Sequence, residues 1–144
     1  MYRYCMTTRN NEQRLHIDSI NYQFQIGIPT DQIAYLVLSR KRIHEIQEAN
    51  GLEKNAGGHG ESFRDLGIIF VDAGRRKLRE KTYHRRHRYV IRDKKMTYRD
   101  LRRILVHELV HYRWRSLGHG VKFERRINEV LKGKEFPPRL TRFI

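Results

Sequence analysis

The stretch HELVH at residues 107–111 constrains this chain more than any other feature of its sequence. Its two histidines stand four positions apart, so on a helix both imidazoles lie on one face, about one turn from each other. Two imidazoles in this arrangement can bind one Zn²⁺ ion, and Glu108 stands beside the first of them, where a general base is needed. The spacing therefore predicts a helix that carries a metal site.

The residues around this stretch predict the helix itself. The segment TYRD begins at Thr97 and resembles a capping box, with Asp100 in the place of the usual glutamate. The helix should end near Ser116, because Gly118 follows as a terminator. Apolar side chains flank the histidines and should bury the helix against the core: Ile104, Leu105, Val106, Leu109 and Val110.

Two histidines alone do not make a catalytic zinc site, which usually has three protein ligands and one open position. His119 is one candidate for the third ligand, because the glycines on both sides of it let the backbone turn back toward the helix. Glu124 and Glu129 are the other candidates, and both stand on a predicted last helix at about 121–132. We favour His119, and the two glutamates remain alternatives.

HELVH, followed closely by HGVKF at 119–123, resembles the SprT-like zinc metallopeptidases and their small microbial and archaeal relatives. In these zincins an H-E-x-x-H motif is followed by H-G-x-x-F, and the resemblance covers roughly residues 97–131. It implies a small zincin-like domain that hydrolyses peptide bonds in protein or peptide substrates, with Phe123 packed behind the site. It assigns the zinc ligands His107, His111 and His119 and the catalytic base Glu108.

A peptidase of this kind also needs a group that stabilises the negative charge developing on the substrate oxygen. Four side chains are candidates for this role, and the sequence leaves all of them open. They are Tyr98, Tyr112, Arg113 and His84.

Upstream of the histidine helix, the sequence predicts a strand and a helix, followed by further strands. Alternating apolar residues at 20–28 have the period-2 pattern of a half-buried strand. Apolar residues at 31–50 have helical spacing, and a glycine-rich loop follows at 53–62. Short runs at 66–72 and 87–93 have the composition of strands. Either of these two strands is a candidate edge against which an extended substrate can pair.

Together these elements predict an α+β fold. It has an N-terminal strand and helix, a short antiparallel or mixed sheet, the active-site helix and a C-terminal helix. A chain of 144 residues is the usual size of one domain. We expect an N-terminal arm at 1–14, a single zincin-like metallopeptidase domain at 15–135 and a C-terminal tail at 136–144.

The chain is strongly basic, with 31 lysines and arginines against 16 acidic residues and a formal net charge of +15. Fourteen of the basic residues and only three acidic ones lie at 75–103. Because a concentrated positive field attracts polyanions, this segment is a candidate surface for non-specific DNA or RNA binding. Its candidate contacts are Arg75, Arg76, Lys77, Arg85, Arg86 and Arg88. The alternative function is therefore a basic nucleic-acid-binding protein with a structural or vestigial zinc site.

The remaining sequence features bear on location. Cys5 is the single cysteine, so no disulfide can form within the chain. No apolar run approaches the length of a membrane span, and the N-terminus lacks the apolar core of a secretory signal. We expect a cytoplasmic protein without a membrane partner.

Overall fold

The structure is a computed structural model that describes residues 8–29, 33, 35–51, 60–63, 67–72, 77–83 and 89–138. These residues form four helices and five strands, which confirms the α+β class. None of the described helices is both long enough and apolar enough to span a membrane. In chain order the elements are α1 (Thr8–Gln25), β1 (Tyr35–Val37), α2 (Arg40–Ala49), β2 (Gly60–Phe63), β3 (Ile68–Val71), β4 (Lys77–Tyr83), β5 (Tyr89–Lys95), α3 (Tyr98–Arg113) and α4 (Val121–Leu131).

The predicted strand at 20–28 is wrong, because most of that segment belongs to helix α1. The buried positions of α1 recur at helical spacing and include two polar residues, Ser19 and Gln23, whose side chains hydrogen-bond to each other at 3.1 Å. Ile20 and Phe24, which created the alternation, are 50% and 68% exposed. Residues 8–14, predicted as an arm, form the first part of this helix, and residues 1–7 lie outside the described part of the chain.

The predicted helix at 31–50 is confirmed only in its second half, as α2. Its first half contains strand β1, which pairs in parallel with β3, so that Leu36 lies beside Ile69. The apolar run from 35 to 38 suits a buried strand as well as a helix, and pairing with β3 decides between them. Ser39 then takes the extended N-cap conformation that starts α2.

A mixed three-stranded sheet has the order β1-β3-β2. The central strand β3 is buried along its whole length and confirms the strand predicted at 66–72. β2 pairs with β3 in antiparallel fashion and includes residues 60–62, for which the sequence predicted a loop. One sheet face packs under α2 through Phe70, and the other packs against α3 through Ile69 and Val71.

A separate two-stranded hairpin, β4–β5, precedes α3. Its register runs from the pair Lys77 and Lys95 to the pair Tyr83 and Tyr89. β5 confirms the strand predicted at 87–93 over the described residues of that range, whereas β4 was not predicted. Within the described residues, the hairpin strands contact each other far more than they contact any other helix or strand.

The two C-terminal helices form where the sequence predicts them. Thr97 and Asp100 make the predicted capping box at the start of α3, with the Thr97 backbone N–H 2.9 Å from the Asp100 carboxylate. α3 ends at Arg113 rather than near Ser116, because the chain turns at once after Trp114. α4 buries Phe123, Ile127 and Val130 against α3.

Residues 136–138, predicted as part of an extended tail, return to the end of α1. The backbone N–H of Phe136 donates to the carbonyl of Gln25 at 2.7 Å, and the Gln25 amide donates to the Val130 and Lys134 carbonyls. Gly27 lies so close to the prolines that a Cβ atom there would stand 2.6 Å from the Pro138 nitrogen. The end of the described chain is therefore held against α1.

Candidate metal centre

The predicted pair of histidines lies on one face of α3, as the spacing requires. His107 and His111 are one turn apart, and their Nε2 atoms are 3.1 Å from each other. The capping box fixes where α3 begins, and the buried side of the helix fixes its rotation, so both rings emerge at the same side. Both histidines are partly buried at this surface.

His119 joins this pair from the short segment between α3 and α4. Its Nε2 atom lies 2.7 Å from the Nε2 atom of His111, and one ligand nitrogen from each of the three rings lies within 4.8 Å of the others. Gly120 follows with φ 156°, a backbone conformation that side-chain-bearing residues rarely adopt. The backbone conformation after His119 thus depends on a glycine that the sequence places there.

The donor set fits a divalent cation. Three tetrahedral Zn–N bonds would separate the ligand nitrogens by about 3.3 Å. The two closest pairs here are 3.1 and 2.7 Å apart. The Nε2 atom of His111 faces two other Nε2 atoms, yet it carries only one proton or one lone pair. Hydrogen bonds among the rings therefore cannot satisfy all three nitrogens, whereas one shared cation can.

Phe123 forms the floor beneath the three imidazoles. Its ring is fully buried, and its centroid lies 4.8, 4.4 and 5.1 Å from those of His107, His111 and His119. Because a packed aromatic ring restricts the rotamers of its neighbours, Phe123 limits how far the imidazoles can turn away. The packing behind the site that the sequence resemblance implied is present.

Burial favours the neutral form of the two histidines on α3. It lowers the pKa of His107 to about 4, with smaller contributions in the same direction from His111 and His119, and a partial opposing effect of Glu124. Burial and His119 also lower the pKa of His111. Neutral imidazole is the form that binds a metal, so these two rings are in ligand form at neutral pH without proton release.

Glu108 lies beside His107 and is 6% exposed. Its Oε1 atom is 4.0 Å from the Nε2 atom of His107. Burial raises the pKa of Glu108 to about 8, and the negative charge of Glu61 on β2 adds to the effect. A carboxyl group with a pKa near neutrality can both accept and return a proton, which is the property expected of a general acid–base group.

Strand β2 closes the inner side of this carboxyl group. A Cβ atom at Gly60 would stand 3.0 Å from the Cγ atom of Glu108 and 3.1 Å from Ile104. β2 is the outer strand of the three-stranded sheet among the described residues, and it therefore brings one edge of that sheet next to Glu108. The prediction that 66–72 provides such an edge is wrong, because β3 is the central strand.

The alternative third ligands are engaged elsewhere. Glu124 accepts a hydrogen bond from Arg103 at 2.6 Å, and Glu129 forms an ion pair with Lys134 at 2.6 Å. Neither glutamate belongs to the cluster of potential metal ligands found among the described residues. Either glutamate could bind the metal only after its ion pair breaks. The His119 ring, in contrast, already faces His111.

Two of the candidate oxyanion groups contact other parts of the fold. The Tyr98 hydroxyl donates to Asp18 on α1, and this contact joins α1 to α3. Arg113 donates to the Ile26 and Pro137 carbonyls. Tyr112 is buried, and His84 lies outside the described residues. The apolar surroundings of Tyr112 fit a packing role.

The nucleic-acid candidates lie largely outside the described part of the chain. Lys77 begins strand β4. Residues 73–76 and 84–88, which contain the other five candidates, are not described. These five are Arg75, Arg76, Arg85, Arg86 and Arg88. Their role stays a prediction.

One residue near the histidines was not singled out from the sequence. Arg103 stands four positions before His107 and so continues the same helix face, and it donates to Glu124 and Asn128 on α4. The i, i+4 spacing in the sequence was the available signal for it. Arg103 is the last of fourteen basic residues at 75–103, so it was interpreted only as part of that basic segment.

Comparison with protein families, with curated proteins and with solved structures finds no match to this chain.

Proposed function

We propose that this chain is a zinc-dependent metallopeptidase of the SprT-like, zincin type. The observation that carries the proposal is the convergence of three imidazoles next to a buried carboxyl group, in the order that H-E-x-x-H followed by H-G-x-x-F requires. Histidine nitrogens are preferred zinc ligands, and a set of three is typical of zinc sites that keep a position open for reaction.

His107, His111 and His119 would hold the ion. When bound, zinc supplies Lewis-acid activation of water and of the scissile carbonyl. Because burial keeps the pKa of His107 and of His111 low, these ligands require no deprotonation at neutral pH. Phe123 keeps the rings oriented toward one another, which reduces the reorganisation needed for binding.

Glu108 moves the proton of the reaction. The carboxylate takes a proton from the attacking water and delivers it to the departing amine. The same burial that raises its pKa also excludes bulk water from its inner side, where β2 and α3 pack together.

β2 is the element best placed to hold a substrate. An extended peptide that pairs with its outer edge would run past Glu108 and the histidines, because Gly60 of this strand contacts Glu108. Strand addition binds through backbone hydrogen bonds and tolerates many side chains. The proposed substrates are accordingly extended segments of proteins or peptides.

Replacing Glu108 with glutamine tests the proposal. The zinc-loaded Glu108→Gln protein should bind zinc but hydrolyse a denatured protein substrate at least about a hundredfold more slowly than the parent, since general acid–base catalysis typically contributes this much. Glu135→Gln, at an exposed position after α4, is the matched control. Equal cleavage by the parent and Glu108→Gln would contradict the assigned base.

Nucleic-acid binding is the second candidate function, and the hairpin is the observation that favours it. Its register sets Lys77 opposite Lys95 in a segment that is already strongly basic. Basic residues on both strands concentrate positive charge in this segment, and a concentrated positive field attracts polyanions. In this alternative the zinc site would be structural or vestigial.

Two measurements separate the candidates. Binding to a DNA duplex should weaken steeply between 50 and 200 mM salt, by roughly a thousandfold or more if about six phosphates are contacted. A fourth protein ligand in the zinc shell would favour a structural site, and an open position would favour the peptidase. A salt-independent interaction would contradict phosphate recognition.

A further inference from the structure

Arg103 occupies the same face of α3 as the two helical histidines, one turn before His107 and two turns before His111. Residues four positions apart are neighbours on a helix surface. Helical side chains lean toward the N-terminus, so the guanidinium lies at the rim of the histidine cluster rather than inside it. Arg103 is thus placed beside the proposed reaction centre without being a metal ligand.

Two side chains of α4 hold this guanidinium in a fixed orientation. Nη2 donates to Oε2 of Glu124 at 2.6 Å, and Nη1 donates to Oδ1 of Asn128 at 3.0 Å. A guanidinium has five N–H donors, and the Arg103 side chain remains 44% exposed. An oriented guanidinium with donors open to solvent is well suited to bind a carboxylate through paired hydrogen bonds.

A surface depression lies beside the two side chains that orient Arg103. It has a volume of about 720 Å³ and follows α4 from Gly120 past Glu124 and Asn128 to Lys132. Gly120 directly follows His119, and the two middle residues are the acceptors of Arg103. Neither Arg103 nor any of the three histidines lines this depression, so it adjoins the acceptors of Arg103 and not the guanidinium itself.

Glu124 does not make this region anionic. Arg99 and Arg102 lie within one turn of Arg103 on α3, and Arg125 directly follows Glu124 on α4. With Arg103 they make four arginines against the two carboxylates of Glu124 and Asp100, so the local field remains positive. An incoming carboxylate would meet a cationic surface with one oriented guanidinium.

We propose that Arg103 determines substrate specificity by binding a carboxylate of the peptide near the cleaved bond. This inference rests on the proposed peptidase function and names a substrate class for it. The carboxylate belongs either to an Asp or Glu side chain or to a free C-terminus. Glu124 and Asn128 act as positioning residues, since they orient the guanidinium and touch no substrate.

The test uses the full chain loaded with zinc and a mixed-sequence peptide library, prepared once with free and once with amidated C-termini. Mass spectrometry identifies the cleaved bonds for the parent, Arg103→Ala, Arg103→Lys and Arg99→Ala. Arg99 is the matched control, because it is exposed and stands on the same face of α3, one turn further from His107. Thermal unfolding checks that each variant is folded.

For the parent we expect a preference for a carboxylate at one position beside the cleaved bond. Arg103→Ala should reduce that preference at least about tenfold, the effect of losing one charge-assisted hydrogen bond. Arg103→Lys should retain part of it, and Arg99→Ala should retain it. A preference that disappears on amidation identifies the C-terminus as the source, and one that survives identifies acidic side chains.

Three outcomes would overturn the inference. A parent that cleaves peptides without a carboxylate preference would show that Arg103 only joins α3 to α4, and the peptidase proposal would stand. The same conclusion follows if Arg103→Ala is folded and keeps the carboxylate preference. If the alanine variant does not fold, an undiminished preference in Arg103→Lys leads to that conclusion as well. A zinc-loaded parent that cleaves neither library would overturn the proposed function and this inference with it.

Discussion

Gly60 of β2 lies directly against Glu108 of α3, so that a Cβ atom on the glycine would stand 3.0 Å from the Cγ atom of the glutamate. The same Cβ atom would also stand 3.0 Å from the Phe70 carbonyl oxygen. A residue larger than glycine therefore cannot be accommodated by movement of the glutamate alone. The contact couples the edge of the sheet to the proposed catalytic carboxyl group.

Replacing Gly60 with alanine should impair both stability and activity. Overpacking of this kind typically costs about 1–3 kcal/mol of unfolding free energy, and the shift of Glu108 should slow peptide hydrolysis. Urea unfolding and a peptidase assay measure the two effects. Gly118→Ala is the control, because a Cβ atom there meets nothing within 4 Å. Equal stability of Gly60→Ala and the parent would contradict this close packing of β2 against α3.

The third metal ligand can be tested by zinc affinity. His119→Ala should weaken zinc binding by at least about a hundredfold, since removing even a group that only supports a ligand costs ten- to a hundredfold. Glu124→Gln and Glu129→Gln should bind zinc as the parent does, because Arg103 and Lys134 already occupy those carboxylates. Competition against a zinc-sensitive dye measures all three. If His119→Ala binds zinc normally and one glutamate variant loses most of its zinc affinity, that glutamate is the third ligand.

The pH dependence of stability tests the environment of Glu108. Its pKa is raised from 4.5 to about 8 in the folded chain, chiefly by burial. The folded state therefore holds this proton more tightly than the unfolded state, and the associated stability is complete below pH 4.5 and lost as the pH rises through 8. Glu108→Gln lacks this loss. In the metal-free protein, its unfolding free energy relative to that of the parent should therefore rise by about 2–5 kcal/mol between pH 5 and pH 9.

Urea unfolding in the presence of a chelator, at several pH values, gives this difference directly. The fixed cost of placing an amide in the site cancels, because only the change with pH is compared. Glu61→Gln is a useful companion variant, since removing that charge should lower the pKa of Glu108 and reduce the pH-dependent loss. A stability difference between Glu108→Gln and the parent that does not change with pH would contradict the raised pKa.

The sequence predicted the histidine helix well because its signals are local. Thr97 and Asp100 mark its start, and the spacing of His107 and His111 describes one face of it. α4 was predicted for the same reason, since its apolar residues recur at helical spacing. Elements whose identity depends only on near neighbours can be read directly from the order of residues.

α1 could not be predicted in the same way. Its buried face contains the hydrogen-bonded pair Ser19 and Gln23, whereas Ile17, Ile20 and Phe24 are exposed. The usual relation between hydrophobicity and burial is thus partly inverted, and the remaining pattern resembles a strand. Only packing against α3, including the contact between Asp18 and Tyr98, distinguishes the two.

The candidate site shows the same division. The proposed ligands and the proposed base were named from the motif, but the proximity of Gly60 and Arg103 depends on how β2 and α4 pack against α3. The raised pKa of Glu108 arises from burial first and then from Glu61, which is 47 positions away in sequence. No local pattern encodes a neighbour at that separation, so these features appear only in the folded chain.

The end of the chain offers a last prediction, because the packing of Phe136 extends the folded unit beyond residue 135. Phe136 stacks edge-on against Trp114 with ring centroids 5.0 Å apart, and the guanidinium of Arg126 lies over both rings. Phe136→Ala should therefore lower the free energy of unfolding by about 2–3 kcal/mol, the cost of removing a partly buried aromatic side chain.

Urea unfolding of the metal-free protein measures this loss, and Glu135→Ala at the preceding exposed position should change it little. A chain that ends at residue 135 should be destabilised at least as much as Phe136→Ala, since it also loses the hydrogen bond from the Phe136 backbone to Gln25. If that shortened chain unfolds at the same urea concentration as the full chain, the folded unit ends where the sequence predicted, and residues 136–138 contribute nothing to it.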